Sequence, residues 1–239
     1  MKLRKTPVLL FLCVFFCLLA TIPGYCQRVM LGMDLGGTSD QFGPLKAVGG
    51  SEAGIDGQAI IIQGSAKDDI PNIVVGGEII LPEKTSSHAT EFALFGGPEF
   101  LFGRHLTAGF HAQFRKLYMP SGTLNGVLFG RDNMWLLELP IVVGYKFGPS
   151  NHAFVQAQGV AEFSPKFSTK ISAASVYPPP PLDHGYTLRG VAGYDFGRWY
   201  LKATYSTRYL KFIQDVSRNP GNLYNWRNQS ATIGFGLAF

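Results

Sequence analysis

Residues 135–147 read Trp-Leu-Leu-Glu-Leu-Pro-Ile-Val-Val-Gly-Tyr-Lys-Phe and alternate without a break. Trp135, Leu137, Leu139, Ile141, Val143, Tyr145 and Phe147 fall on one side, and Leu136, Glu138, Pro140, Val142, Gly144 and Lys146 on the other. A period of two belongs to an extended strand, whose successive Cβ atoms leave on opposite faces; a helix repeats about every 3.6 residues. One face is greasy and aromatic from end to end, and the other is mixed and small.

The pattern recurs on both sides of this stretch. In 199–209 the apolar face is Trp199, Leu201, Ala203, Tyr205, Thr207 and Tyr209, opposite Lys202 and Arg208. In 186–196 it is Tyr186, Leu188, Gly190, Ala192, Tyr194 and Phe196, opposite Arg189 and Asp195. Segments 105–116 and 228–239 alternate as clearly, and 152–163, 90–101 and 72–82 less cleanly, which gives eight strands. Tight turns at 102–104, 148–150 and 196–198 take turns with long polar stretches at 118–133, 164–184 and 212–227. That order predicts an up-and-down antiparallel barrel with its long loops at one end; only 83–89 is short for its side. Residues 27–70 are Gly-rich, with candidate strands at 28–36 and 58–63. They read as an N-terminal arm, with a plug, or an extra hairpin that makes ten strands, as the alternatives.

Composition narrows the class. Of 239 residues only 15% are charged, with 19 Phe, 10 Tyr and 29 Gly. This is too apolar for a disordered chain, and too weakly charged to clothe a soluble domain of this size comfortably. After the N-terminal segment no apolar run approaches the ~20 residues a membrane helix needs, which excludes a helical membrane protein. Residues 1–26 read as a secretory signal: Lys2, Arg4 and Lys5, then an apolar stretch from Val8 to Ala20, then Pro23 and a cut after Cys26. Acylation of Cys26 is the rival reading, which the bulky Tyr25 fits poorly. Removing the signal takes away three basic residues and all three cysteines, leaving 18 basic against 16 acidic residues. A balance of +2 gives no case for nucleic acid as a partner.

Alternation alone does not say which face is inside. An inward set that included Trp135, Tyr145, Phe147, Trp199, Tyr205, Tyr209, Phe110 and Phe114 would overfill an eight-stranded lumen. The polar face carries only one or two charges per strand, and they balance. Glu91, Glu99, Glu138, Glu162 and Asp195 stand against Arg115, Lys146, Arg189, Lys202 and Arg208. Gathered in a narrow lumen, such groups satisfy one another. The aromatics Trp135, Phe147, Tyr186, Phe196, Trp199 and Tyr209 sit at strand ends, as two girdles around a bilayer would. Twelve residues at ~3.3 Å each, tilted by ~40°, rise about 30 Å, enough to cross. The expectation is an all-β transmembrane barrel over 71–239, with ionic interior and apolar exterior.

The sequence resembles the outer-membrane β-barrels of Gram-negative bacteria, the small OmpA-transmembrane-like and porin-like barrels, over 71–239 and the signal segment. The resemblance is carried most specifically by Thr232, Gly234, Leu237 and Phe239 in the last strand, and also by Glu138-Leu139-Pro140 with Gly144-Tyr145-Lys146-Phe147. In that family such a terminal strand is an assembly signal. The resemblance therefore implies insertion by the barrel assembly machinery, contact with outer-membrane lipid and an outer-membrane location. A monomer is expected.

Chemical motifs are sparse. Gly32-Met33-Asp34-Leu35-Gly36-Gly37-Thr38 mimics a phosphate-binding loop of sugar kinases but reads as a Gly-rich strand and turn. Of His88, His105, His111, His152 and His184, only His88 and His184 fall in or beside long-loop-end connections, and Asp183 could orient His184. No metal-ligand spacing, cofactor motif or catalytic constellation emerges. Pro178 to Pro181 reads as a stiff loop spacer. The expected role is a non-enzymatic barrel of the envelope, structural or surface-interacting, with at most a narrow pore. The alternatives are an exported lipocalin-like binder and a lipid-modifying enzyme.

Overall fold

The computed structural model describes residues 28–65, 67, 69–85, 87–119, 122–124, 127–129, 134–148, 152–163, 181–213 and 224–239. The signal segment and Pro178–Pro180 lie outside them, as do large parts of the three long loops. In chain order the strands are β1 (Arg28–Phe42), β2 (Val48–Ile62), β3 (Asn72–Pro82), β4 (Thr90–Phe102), β5 (Leu106–Phe110) and β6 (Ala112–Tyr118). A small hairpin of β7 (Gly122–Leu124) and β8 (Val127–Phe129) stands apart from the main sheet. Then follow β9 (Met134–Phe147), β10 (Ala153–Phe163), β11 (Leu182–Asp195), β12 (Trp199–Phe212) and β13 (Trp226–Ala238).

Round the main sheet every pairing is antiparallel, with β5 and β6 both lying between β4 and β9, and β13 returns to β1 with Leu31 opposite Leu237 and Leu35 opposite Ile233. The sheet is therefore a closed cylinder with no free edge. β5 and β6 are halves of one strand. Glu99↔Gly109 and Gly96↔Ala112 keep one register against β4, and Leu106↔Tyr145 and Gln113↔Glu138 keep one register against β9. The gap falls at His111, between Gly97 on β4 and Pro140 on β9. His111 N–H donates to the Pro140 carbonyl at 2.9 Å, and a proline has no N–H to return the bond.

Counted this way the barrel has ten strands, which corrects the expectation of eight. The additional pair is β1–β2, in the stretch preferred as an arm, and it forms the wall between β13 and β3. At one end of the cylinder the chain reverses in tight turns, where Gly103 (φ 67°) and Gly197 (φ 92°) adopt the left-handed conformation that hairpin turns favour. Among the described residues, the β1–β2 connection 43–47 and the β3–β4 connection 83–89 lie at the other end, where β6, β10 and β12 also end.

Candidate functional site

The outer surface is a continuous apolar band. Between its ends Ile141 is 64% exposed and Ile233 72%, and Leu35, Leu94, Phe110, Phe114, Leu188 and Tyr205 are exposed around the circumference. Aromatic rings border the band. At the tight-turn end Tyr145 meets Phe147 at 4.9 Å, Phe196 stacks on Trp199 at 3.7 Å, and Trp199 meets Phe235 at 6.0 Å. At the long-loop end Tyr186 lies 5.8 Å from Tyr209, and Tyr118 and Trp135 flank Lys116. All six girdle residues read from the sequence stand on the outer face at one of these two levels.

The inner face holds ions, and two arginines organise them. Arg115 on β6 donates from Nε to both oxygens of Glu138 (2.8 and 3.1 Å), from Nη1 to Glu91 (2.6 Å) and from Nη2 to Glu78 (3.2 Å). Arg208 on β12 reaches across the lumen to Glu91 (2.7 Å) and donates to Glu162 (2.9 Å) and the Thr187 hydroxyl (3.0 Å). Glu91, Glu138, Glu162, Arg115 and Arg208 are almost wholly buried, so each charge depends on its partners rather than on water. Arg189 adds a forked bond to Glu78. Towards the tight-turn end Lys202 bridges Asp34 (3.1 Å) and Asp56 (2.8 Å), and Arg28 pairs with Asp195.

Above the ions, at the long-loop end, the lumen turns apolar. Phe42, Ala89, Leu117, Leu136, Leu210, Phe212, Tyr224 and Trp226 form one buried cluster across the mouth. Trp226 stacks on Phe42 with ring centroids 6.3 Å apart and donates from its indole to Asp40 at 2.7 Å. Asp40 also accepts from the Asn228 amide (2.8 Å) and lies 2.7 Å from Nδ1 of His88. His88 arrives from the β3–β4 connection and is 2% exposed. Its Nε2 faces Gly50, where a Cβ would come within 2.3 Å, so only glycine leaves room for the imidazole.

Eight of the ten ions expected in the lumen join the network or pair within it: Glu91, Arg115, Glu138, Glu162, Arg189, Asp195, Lys202 and Arg208. A ninth, Glu99, lies 3.2 Å from Nε2 of His111, whose ring stacks on Phe95. Lys146 does not join. It sits at the tight-turn rim, exposed, with no ion pair among the described residues. Sequence reasoning missed Glu78, Asp34, Asp56 and Asp40, and the whole apolar mouth. The signal for the mouth was parity: Leu210 and Phe212 continue the face of Arg208, and Leu136 and Leu117 precede or follow Glu138 and Arg115 by two.

His88 is not an exposed loop residue but part of this interior. Asp183 and His184 do stand together at 3.1 Å, both exposed at the rim, with Lys211 Nζ 3.6 Å from Asp183. No nucleophile completes that pair among the described residues, nor do three His, Cys, Asp or Glu side chains group so as to hold a metal ion. In the terminal strand Thr232 and Gly234 face inward, Leu237 and Phe239 outward. Phe239 exchanges backbone hydrogen bonds with Val29 at 2.9 and 3.1 Å.

No protein-family description matches the chain, and no curated protein does. Among solved structures it is similar to the outer membrane protease OmpT of Escherichia coli, at 10% identity over 89% of this chain and 97% of that one (TM-score 0.46). It is also similar to the translocator domain of the autotransporter NalP of Neisseria meningitidis, at 16% identity over 98% and 96% (TM-score 0.44). A third is the NanC porin, at 12% identity over 88% and 98% (TM-score 0.38). At these values none of them speaks for an activity or a setting of this chain; the barrel stands on its own closed pairing.

Proposed function

We propose that the protein is an integral outer-membrane barrel of the Gram-negative envelope, non-enzymatic and sealed, which spans the bilayer and carries its long loops at the surface. The observation that carries this reading is the division between the two faces. Apolar side chains cover the outside between two aromatic borders, while carboxylates and guanidiniums fill the inside. A water-soluble binding barrel needs the opposite arrangement. Closed pairing leaves no unsatisfied strand edge, the condition for β-structure in hydrocarbon. The mouth cluster and the shared ions leave the lumen occupied, which favours a structural or surface-presenting role over passive passage.

A charge placed in the middle of the outer band tests the setting directly. Ile141→Arg is expected to destabilise the barrel by about 2–4 kcal/mol in bilayers, the cost of a cation near the midplane. The same change should be nearly silent in a protein whose Ile141 faces water. Urea titration of protein folded into phosphatidylcholine vesicles measures the difference, and an unchanged midpoint argues against the membrane face.

Assembly by the barrel insertion route gives a second test. Deleting Phe239 removes a terminal aromatic and the two backbone bonds to Val29. The expected result is less heat-modifiable, folded protein in outer-membrane fractions, with precursor accumulating in the periplasm. Equal amounts of folded barrel with and without Phe239 would count against this route.

A further inference from the structure

We propose that Lys116, held between Tyr118 and Trp135, is the core of a binding site for the anionic phosphate headgroup of a lipid in the leaflet on the long-loop side. The inference rests on the membrane-spanning reading above and adds a ligand to it.

It begins with how charge divides between the faces. Every Asp and Glu of the ten-strand wall takes an inward position except Asp183, which sits at a register shift on the rim beside His184 and Lys211. The outward charged positions are Lys116, Lys211 and Arg227, all cations within two residues of a strand end and all at the long-loop end. Lys211 is already matched by Asp183. Arg227 stands on β13, far round the wall from β6.

Lys116 differs from both in being built into its place. Its Nζ lies 4.7 Å from the Trp135 ring centroid and 5.1 Å from that of Tyr118, and Phe92 meets Tyr118 edge-on at 5.8 Å. Strand register sets this geometry, because Lys116 is directly opposite Phe92 on β4 and Trp135 on β9. Two ring faces hold the ammonium at a fixed height and remove part of its water. None of the described carboxylates forms an ion pair with it. An anion approaching from the lipid side completes its coordination.

Below Lys116 the wall supplies a surface for the rest of such a molecule. Leu94, Phe114, Phe110 and Ile141 follow on neighbouring strands, each at least half exposed. Phe114 is opposite Leu94, and Phe110 is opposite Ile141, so the four form a continuous apolar track running towards the midplane. A headgroup at Lys116 therefore places an acyl chain along that track. A free phosphate ion would use only the top of it.

The test uses the full chain in dodecyl maltoside micelles, with retained lipid counted by native mass spectrometry. Dimyristoyl phosphatidylglycerol is the anionic probe, and dimyristoyl phosphatidylcholine the zwitterionic one with the same chains. Wild-type protein is expected to retain the anionic lipid in preference. Lys116→Gln should lower that preference about fivefold, the factor that corresponds to ~1 kcal/mol per basic residue at an anionic surface. Lys116→Arg should keep it, and Arg227→Gln should leave it unchanged. Folding of each variant is checked by its heat-modified migration, which an outward substitution at the rim leaves intact.

Equal losses in Lys116→Gln and Arg227→Gln would mean undirected attraction to any cation and would overturn the site. Release of the lipid by excess inorganic phosphate would overturn the lipid as occupant, because the headgroup alone would then account for binding. Failure of the membrane reading itself looks different: the protein would stay dispersed without detergent and retain neither lipid.

Discussion

Replacing Arg115 by methionine is expected to cost the barrel about 3–5 kcal/mol, the usual loss when one partner of a buried ionic cluster is removed. Arg115 is 2% exposed, and its guanidinium serves Glu138, Glu91 and Glu78 at once. Without it Glu138 keeps only a 3.6 Å approach from Arg208, and Glu78 only Arg189. The measurement is the urea midpoint of protein refolded in micelles, together with the fraction that migrates as folded barrel. Arg115→Lys is expected to fail as well, since one ammonium cannot present a planar fork to three carboxylates. Combining Arg115→Met with Glu138→Gln should recover part of the loss by removing a stranded charge. Should the single methionine variant keep the wild-type midpoint, the lumenal ions are ornamental to folding.

Trp226→Ala is the second large effect. This indole is fully buried, stacks on Phe42, bonds to Asp40 and lies 5.9 Å from the Arg208 guanidinium. Truncating it empties the centre of the mouth cluster and leaves Asp40 with one donor fewer. A buried aromatic cut to alanine costs about 3–5 kcal/mol, and a rigid strand wall can do little to close the hole. Trp226→Phe keeps most of the packing and loses mainly the indole hydrogen bond, so its cost should be near 1 kcal/mol. The same pair reports on the seal. Alanine is expected to give measurable ion conductance in planar bilayers, while phenylalanine and wild type stay closed. Closed behaviour in all three would mean that the ionic layer alone blocks the lumen.

How much of this was legible depended on where the reason for each residue lies. β9, β11, β12 and β13 announce themselves, because one face must be apolar along its whole length and that demand is local to the strand. β1 does not. Its outward positions run Met33, Leu35, Gly37, Ser39 and Gln41, and its inward ones include Gly32 and Gly36, so the alternation fades halfway. The cause sits on another strand. A Cβ at Gly32 would come within 2.5 Å of the Tyr200 hydroxyl, and one at Gly236 within 2.2 Å of the Tyr200 ring. The inner wall is thinned there to admit a tyrosine from β12, a requirement that no local pattern displays. The same blindness hid Asp34 and Asp56, which make sense only beside Lys202. The mouth is hidden for a different reason: the alternation legible in 105–116, 199–209 and 228–239 stops at Arg115, Arg208 and Asn228 on the inner face, which turns apolar one step later at Leu117, Leu210 and Trp226.

Shared ions also have a mechanical side. Arg208 ties β12 to β4, Arg189 ties β11 to β3, and Lys202 ties β12 to β2, in each case skipping at least two intervening strands. A bare hoop of ten strands can flatten into an ellipse under lateral pressure, because strand hydrogen bonds resist stretching along the circumference far better than bending. Ties that run from one arc to another act as spokes. They hold the cross-section round, and any squeeze on the wall is felt at once by groups on the far side.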